Sequence, residues 1–248
     1  MMHDLEEGPL AGMADKLATQ AILSDEDRAA LLKLPHASRS FEPGSYLVRE
    51  GDVTNTCAVL VSGFAYRHKT SSNGGRQIVG ILFPGDLLDL QQLHINVADH
   101  NIQTLTRCEV TKVPQSALRA IIRDRPSISD AIVTSVLIEG SIMREWLLNI
   151  GRRDARTRVA HFLCEFVVRL NRQDLVLKHT HHLPMTQEQL GDALGLTAVH
   201  INRTLKVLET EGFITRDKQQ GFAFPKWKNL CTTSDFNSRY LHGIMEII

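Results

Sequence analysis

The spacing of apolar and polar positions changes character twice along the chain. Ser24-Asp25-Glu26-Asp27 places a hydroxyl at a helix cap with a carboxylate three residues on, which predicts a short helix ending at Leu34-Pro35. From His36 to about Val113, short β-rich runs (Ser45 to Val48, Cys57 to Leu60, Phe64 to His68, Gln77 to Phe83, Glu109 to Val113) alternate with turn residues. These turns are Pro43-Gly44, Gly51-Asp52, Gly63, Asn73-Gly74-Gly75 and Pro84-Gly85-Asp86. Strand and turn signals recurring every 8–12 residues or so predict a small antiparallel β-roll, a cupin-like jelly roll.

Past Pro126 the period becomes helical. Ser127 with Asp130 has the pattern of a capped start, and no proline recurs before Pro184. A helix from about 127 to 150 follows, roughly 35 Å long at about 1.5 Å per residue. Ile132, Val136, Gly140, Met143, Leu147 and Ile150 form one stripe on it, and Val133, Leu137, Ile138 and Ile142 a second. A helix on the surface of one domain needs a single apolar face. The extra face predicts a partner, most simply the same helix of a second subunit meeting it through the first stripe; the alternative is burial of both faces within one chain. Gly151-Arg152-Arg153-Asp154 is expected to break this helix, and Asp154 to cap the next, whose Val159, Phe162, Leu163, Phe166, Val167 and Leu170 recur at three and four residues. The polar stretch from Asn171 to Leu183 reads as a loop or short hairpin.

The stretch from Met185 to Glu209 carries the most specific signal. Thr186 and Gln189 form a capping box, and Leu190, Ala193 and Leu194 give the inward face of a two-turn helix. Gly195 then turns the chain, Gly191 leaves room for close helix approach, and Thr197 caps a second helix packed through Ile201, Leu205 and Leu208. That is helix-turn-helix spacing. Val199, Asn202, Arg203 and Lys206 fall on the opposite face of the second helix, free to enter a DNA major groove. Arg203 has the fork for the two acceptors of guanine, Asn202 suits adenine or phosphate, and Lys206 suits phosphate. Thr186, Gln187, Thr197 and His200, at the two helix starts, complete the expected DNA-binding set. The segment from Gly212 to Phe224 reads as a β-hairpin with its turn in Asp217 to Gly221, the wing of a winged helix-turn-helix.

The fold class is therefore α+β, with four expected segments: an N-terminal helix and β-roll over 1–125, a dimerisation helix over 126–151, a winged helix-turn-helix over 152–228, and a helical tail over 229–248. Composition fits this: 43% hydrophobic and 23% charged residues in 248 exclude a disordered or purely coiled-coil chain. No apolar run approaches the ~18–20 residues of a membrane span, and the acidic N-terminus lacks signal-peptide order, which places the protein in the cytoplasm without a membrane partner. The zero net charge hides an asymmetry. Residues 1–151 hold 14 basic and 18 acidic side chains, whereas 152–228 hold 13 and 8, so a phosphate-binding face belongs in the C-terminal part. Cys57, Cys108, Cys164 and Cys231 are scattered without a CxxC pair, which predicts buried thiols rather than a metal cluster, with redox sensing as the minor alternative.

The order of β-roll, long helix, hinge and winged helix-turn-helix resembles the Crp/Fnr family of bacterial transcription regulators over roughly residues 24–226. The matching motifs are Glu42-Pro-Gly-Ser, Arg49-Glu-Gly-Asp, Phe83-Pro-Gly-Asp86 and Thr186 through Leu208. The resemblance implies a homodimer that binds double-stranded DNA and, as an activator, contacts RNA polymerase. It places the family's guanine-reading arginine on Arg203 and puts Val199 where a base-contacting glutamate is usual. It also implies an effector pocket after the Gly85-Asp86 turn, for which Asp89, Gln91, His94, His100 and Asn101 are the candidates. There Leu90 stands near the ribose-binding glutamate of cyclic-nucleotide-binding members, and His100-Asn101 near their Arg-Ser pair. Without a fixed cation a buried phosphate lacks compensation, so cyclic AMP is not the expected effector. The N-terminal cysteine cluster of the family's oxygen-sensing branch is missing.

His94 and His100, which could in principle ligate haem or metal, read as polar packing or surface positions, and His179-Thr-His181-His182 has no neighbouring Cys, Asp or Glu that obviously completes a transition-metal set. No residue is assigned to catalysis, a metal or a cofactor. Two alternatives remain: a cupin-like metalloenzyme with an appended helical domain, and a constitutive architectural DNA-binding protein.

Overall fold

The computed structural model describes residues 8–170, 181–216 and 221–242. Met1 to Glu7, His179, most of the Asn171–Leu183 stretch, Asp217 to Gln220 of the expected wing turn and the tail from residue 243 lie outside the described residues. The chain forms two compact units, one containing Val79–Glu139 and the chain up to Ser72, the other Asn73–Ile78 and the chain from Gly140 onward.

In the first unit, α1 (Ala11–Ala18) and α2 (Asp25–Leu32) precede seven strands. These are β1 (Ala37–Phe41), β2 (Tyr46–Val48), β3 (Thr56–Ser62), β4 (Ala65–Thr70), β5 (Arg76–Leu82), β6 (Asn101–Thr104) and β7 (Cys108–Pro114). They pair as two sheets, in the orders β1-β7-β3 and β2-β6-β4-β5. The register of the first runs from Ala37 opposite Lys112 to Phe41 opposite Cys108, and a bulge interrupts β3 between Leu60 and Ser62. Inward residues of both sheets, Ala58, Leu60, Cys108 and Val110 with Val48, Ala65, Leu82 and Ile102, share one core, as a closed roll requires. A second core gathers Leu10, Met13 and Leu17 of α1, Leu31 of α2, Val59 and Val113 of the first sheet, Leu118 of α3 (Gln115–Asp124), and Ile128, Ala131 and Ile132 of α4 (Pro126–Arg152).

Two details of α4 correct the sequence reading. Pro126 takes the first helical position, where its missing N–H is no loss, so Ser127 is inside the helix and does not cap it. Its hydroxyl donates instead to Asp27 at 2.7 Å; Asp27 also accepts from Arg125 at 2.8 Å and from the Ser24 backbone at 3.1 Å. The Ser127 and Arg125 bonds hold the Asp27 carboxyl well below the usual carboxylate range. Nor does Gly151 stop α4, which continues through Arg152. An interior glycine weakens a helix by only about 1 kcal/mol relative to alanine. The break falls at Arg153-Asp154, where the Asp154 carboxylate accepts from the Thr157 backbone at 2.9 Å and starts α5 (Ala155–Leu170).

The two stripes on α4 also sort differently from expectation. Ile132 of the first stripe and Ile138 of the second are buried within their own chain. The face left exposed is Val133, Val136, Leu137, Met143 and Leu147, with Gly140 half-buried between them. Spacing alone identifies apolar faces; which face the chain's own core covers depends on elements far away in sequence.

In the second unit, α5 is followed by β8 (His181–His182), α6 (Gln187–Leu194), α7 (Ala198–Thr210), β9 (Thr215–Arg216), β10 (Gly221–Ala223), α8 (Trp227–Thr233) and a short 3-10 turn, Ser238–Leu241. The three strands form one antiparallel sheet, β8-β10-β9, with Phe222 opposite both His181 and Arg216. All four cysteines are buried thiols.

Candidate nucleic-acid interface

The α6-turn-α7 geometry follows from a few local bonds. Thr186 accepts from the Gln189 backbone at 3.2 Å while the Gln189 side chain accepts from the Thr186 backbone at 2.8 Å, closing the capping box of α6. Gly195 ends α6 at φ +65°, a left-handed conformation that favours glycine. At Gly191 a methyl group would stand 2.4 Å from the Leu196 carbonyl oxygen, so the turn folds onto α6 only because that position has no side chain. Thr197 starts α7 by accepting from the His200 backbone at 3.2 Å. Leu190, Ala193 and Leu194 of α6 and Ile201, Leu205 and Leu208 of α7 are buried.

This packing turns the other face of α7 outward. Val199 is 81% exposed, Arg203 and Lys206 are exposed, and His200 and Asn202 are half-buried. Asn202 donates to the Gln187 side chain at 3.1 Å, which joins the two helix starts by a polar bond that spacing did not reveal. It also commits one of the Asn202 amide hydrogens, leaving its carbonyl oxygen as the free acceptor.

The basic excess over residues 152–228 includes several arginines that are engaged internally. Arg153 lies between Glu145 (2.6 Å) and Asp235 (2.7 Å), Arg156 pairs with Glu211 (2.6 Å), Arg169 with Glu165 (3.3 Å) and Arg216 with Glu209 (2.5 Å). Arg158 has a role that residue spacing does not reveal: it donates to the carbonyls of Leu194 (2.8 Å), Ile150 (2.7 Å) and Arg153 (3.0 Å). It thereby satisfies the C-terminal carbonyls of both α4 and α6. The Arg203 guanidinium, by contrast, makes no ion pair among the described residues, which leaves its fork available to a ligand.

The effector-pocket candidates in the roll are only partly brought together. Gln91 donates to Asp99 at 2.8 Å, and His100 contacts the same Asp99 oxygen through Nδ1 at 2.7 Å. Burial lowers the His100 pKa despite that carboxylate, so the ring is neutral near pH 7. Asp89 is buried and accepts from the Ala58 backbone at 3.0 Å, and Asn101 accepts from the Glu50 backbone at 3.1 Å. Both bonds hold the roll together. His94 is exposed.

Residues 38–125 match the cyclic nucleotide-binding domain and residues 157–232 the Crp-like helix-turn-helix domain. The nitrogen fixation regulation protein FixK of Bradyrhizobium diazoefficiens is 33% identical over 205 residues, 80% of this chain and 83% of FixK. The chain belongs to the Crp/Fnr family of transcription regulators. The transcriptional activator protein FnrL of Cereibacter sphaeroides is 29% identical over 198 residues, 77% of each chain. In fold, this Crp/Fnr protein matches FixK2 from Bradyrhizobium japonicum with a TM-score of 0.71 at 22% identity, over 81% of this chain and 98% of that one. Crp/Fnr regulators bind DNA, act as dimers and are not enzymes. The cupin-like enzyme alternative finds no support, and among the described residues no three His, Cys, Asp or Glu side chains are grouped to hold a metal. Among those residues, too, no helix is long and apolar enough to cross a membrane.

Proposed function

We propose that two copies of α7 enter successive major grooves of a two-fold symmetric operator, with half-site centres roughly 34 Å apart, and that Arg203 reads a guanine in each. The observation that carries this is the outward face of α7: an exposed Arg203 without an ion pair among the described residues, flanked by Val199, Asn202 and Lys206, on a helix whose N-terminus Thr197 caps. His200 and the starts of the two helices, Thr186, Gln187 and Thr197, stand beside this face and position the phosphate backbone. The dimer seam is the exposed stripe of α4. Contact with RNA polymerase belongs to this reading through the relatives named as activators.

Arg203→Ala is expected to weaken operator binding by about 1–3 kcal/mol and to relax preference at one base pair per half-site, because guanine loses its bidentate donor. Lys206→Ala should weaken all sequences alike and lower the salt slope by about one unit per subunit. Val199 offers no acceptor to cytosine, so Val199→Glu should shift the base preferred opposite it toward cytosine. Selection of bound DNA from a random pool by wild type, Arg203→Ala and Val199→Glu checks all of this. Identical motifs from the three would show that α7 does not read bases.

The roll senses a signal other than cyclic AMP in this reading. At the positions where a cyclic phosphate needs a cation stand His100, neutral and bonded to the Asp99 carboxylate, and Asn101, bonded to the backbone. Calorimetry is expected to find no saturable binding at about millimolar cyclic AMP, which corresponds to less than roughly 4 kcal/mol. A micromolar dissociation constant would overturn it.

A further inference from the structure

Two of the four thiols meet. Cys164 on α5 and Cys231 on α8 are separated by 67 residues in sequence, yet their sulfurs lie 4.0 Å apart, both buried. Ser234 completes the cluster, its hydroxyl 3.6 Å from the Cys164 sulfur and donating to the Cys231 carbonyl at 3.1 Å. Cys57 and Cys108 lie in different cores of the first unit, and Cys108 bonds to the backbone carbonyls of Phe64 and Thr106. No spacing rule in the sequence points to the 164–231 pair.

We propose that Cys164 and Cys231 are an oxidisable dithiol, converted by hydrogen peroxide to an intramolecular disulfide that ties α8 to α5. A disulfide needs the sulfurs at about 2.05 Å, so each side chain must swing inward by about 1 Å from its present contact. The two thiols are not equivalent. Burial raises Cys164 far above its ordinary range, whereas hydrogen bonding to Cys164 lowers Cys231, which makes Cys231 the first nucleophile. Its thiolate attacks one peroxide oxygen, the O–O bond breaks, and the released hydroxide takes a proton to leave as water, giving a sulfenic acid at Cys231. The Cys164 sulfur then attacks the Cys231 sulfur, the S–S bond forms, the S–O bond breaks, and the Cys164 proton leaves with the hydroxyl as a second water. The pair loses two electrons and two hydrogens, and one peroxide becomes two waters. Cys57, pushed up to about 12 by burial beside Asp89, is an internal control that does not react.

The consequence lies in what α8 leads into. Ser234 contacts His161 through its carbonyl at 3.2 Å, Asp235 pairs with Arg153, and the Tyr240 hydroxyl donates to Glu165 at 2.8 Å. A bond between Cys164 and Cys231 fixes the start of this segment onto the helix that supports α6 and α7.

The test uses the full chain. Treated with a few equivalents of peroxide and digested without reduction, the wild type should lose 2 Da in intact mass and yield one cross-linked peptide pair containing Cys164 and Cys231. Dithiothreitol should restore both. The closed loop is long, so the oxidised form should melt about 5–10 °C higher. Cys231→Ser should abolish the 2 Da loss. An unchanged wild-type mass at millimolar peroxide, a cross-link through Cys57 or Cys108, or disulfides only between chains would each overturn the proposal. Because the primary readout is on the wild type, a folding defect in the variant leaves the test intact.

Discussion

Replacing Met143 and Leu147 together by glutamate is expected to convert the dimer to a monomer at micromolar concentration and to abolish operator binding. Both side chains are mostly exposed in the single chain, at 55% and 73%, within the stripe Val133, Val136, Leu137, Met143 and Leu147. An exposed apolar stripe of this kind marks a protein contact. Two-fold symmetry brings the same stripe of a second copy against it, so the double variant places four carboxylates in one seam. Each unpaired charge in a desolvated seam costs several kcal/mol, so the four together exceed about 5 kcal/mol. Since neither side chain belongs to the chain's own core, circular dichroism should show unchanged helix content. Ile132→Glu would not make this test, because Ile132 is buried with Ile128 and Ala131 and a charge there would disturb the chain's own core. Sedimentation velocity decides the matter: a wild type that is monomeric at micromolar concentration, or a double variant that stays dimeric, defeats the assignment of the seam.

The helix-turn-helix was legible because its determinants are local. Two threonine caps, a glutamine three residues after the first and a glycine at each critical position specify α6, the turn and α7 within about 25 residues. Elements defined by remote partners were not legible. Strand β1, with the sequence Ala-Ser-Arg-Ser-Phe, is largely exposed and exists because it pairs with β7 some 70 residues later. Strand β6 has only Asn-Ile-Gln-Thr, too short for a pattern, yet lies between β2 and β4 in its sheet. Helices α1 and α3 lack side-chain caps, and both form by packing Leu10, Met13, Leu17 and Leu118 into a common core. Within the DNA-binding unit, the acidic partners of Arg153, Arg156 and Arg216 explain why counting charges over 152–228 pointed to the right part of the chain but exaggerated its free positive charge.

Glu165→Ala is expected to destabilise the DNA-binding unit by about 3–5 kcal/mol, lowering its melting temperature by roughly 10 °C. Glu165 is a carboxylate buried on α5 among Phe162, Leu163, Phe166 and Val168. It accepts from the Trp146 indole at 2.9 Å, from the Tyr240 hydroxyl at 2.8 Å and from Arg169 at 3.3 Å. Alanine leaves the buried Trp146 indole N–H without its acceptor and takes one partner each from Tyr240 and Arg169, and the cost of these lost bonds dominates the change. Glu165→Gln keeps one carbonyl acceptor and should lose about half as much. The neighbouring His161 adds a pH dependence. Burial, with Arg153 nearby, holds its pKa down to about 4, so the 3.4 Å approach of Glu145 is a contact with a neutral ring and not an ion pair. An unfolded histidine titrates near 6.5, so between about pH 6.5 and 4 the unfolded chain binds a proton that the folded chain does not, and stability falls as pH falls through that window. From pH 7 to pH 5 the loss should be about 2 kcal/mol. His100, also lowered by burial, contributes with the same sign from the other unit, and His161→Gln separates the two. Both tryptophans of the chain, Trp146 and Trp227, belong to the DNA-binding unit, so their fluorescence in urea titrations reports its stability specifically. A wild type equally stable at pH 7 and pH 5, or an undiminished slope in His161→Gln, would show that this buried ring does not couple folding to protons.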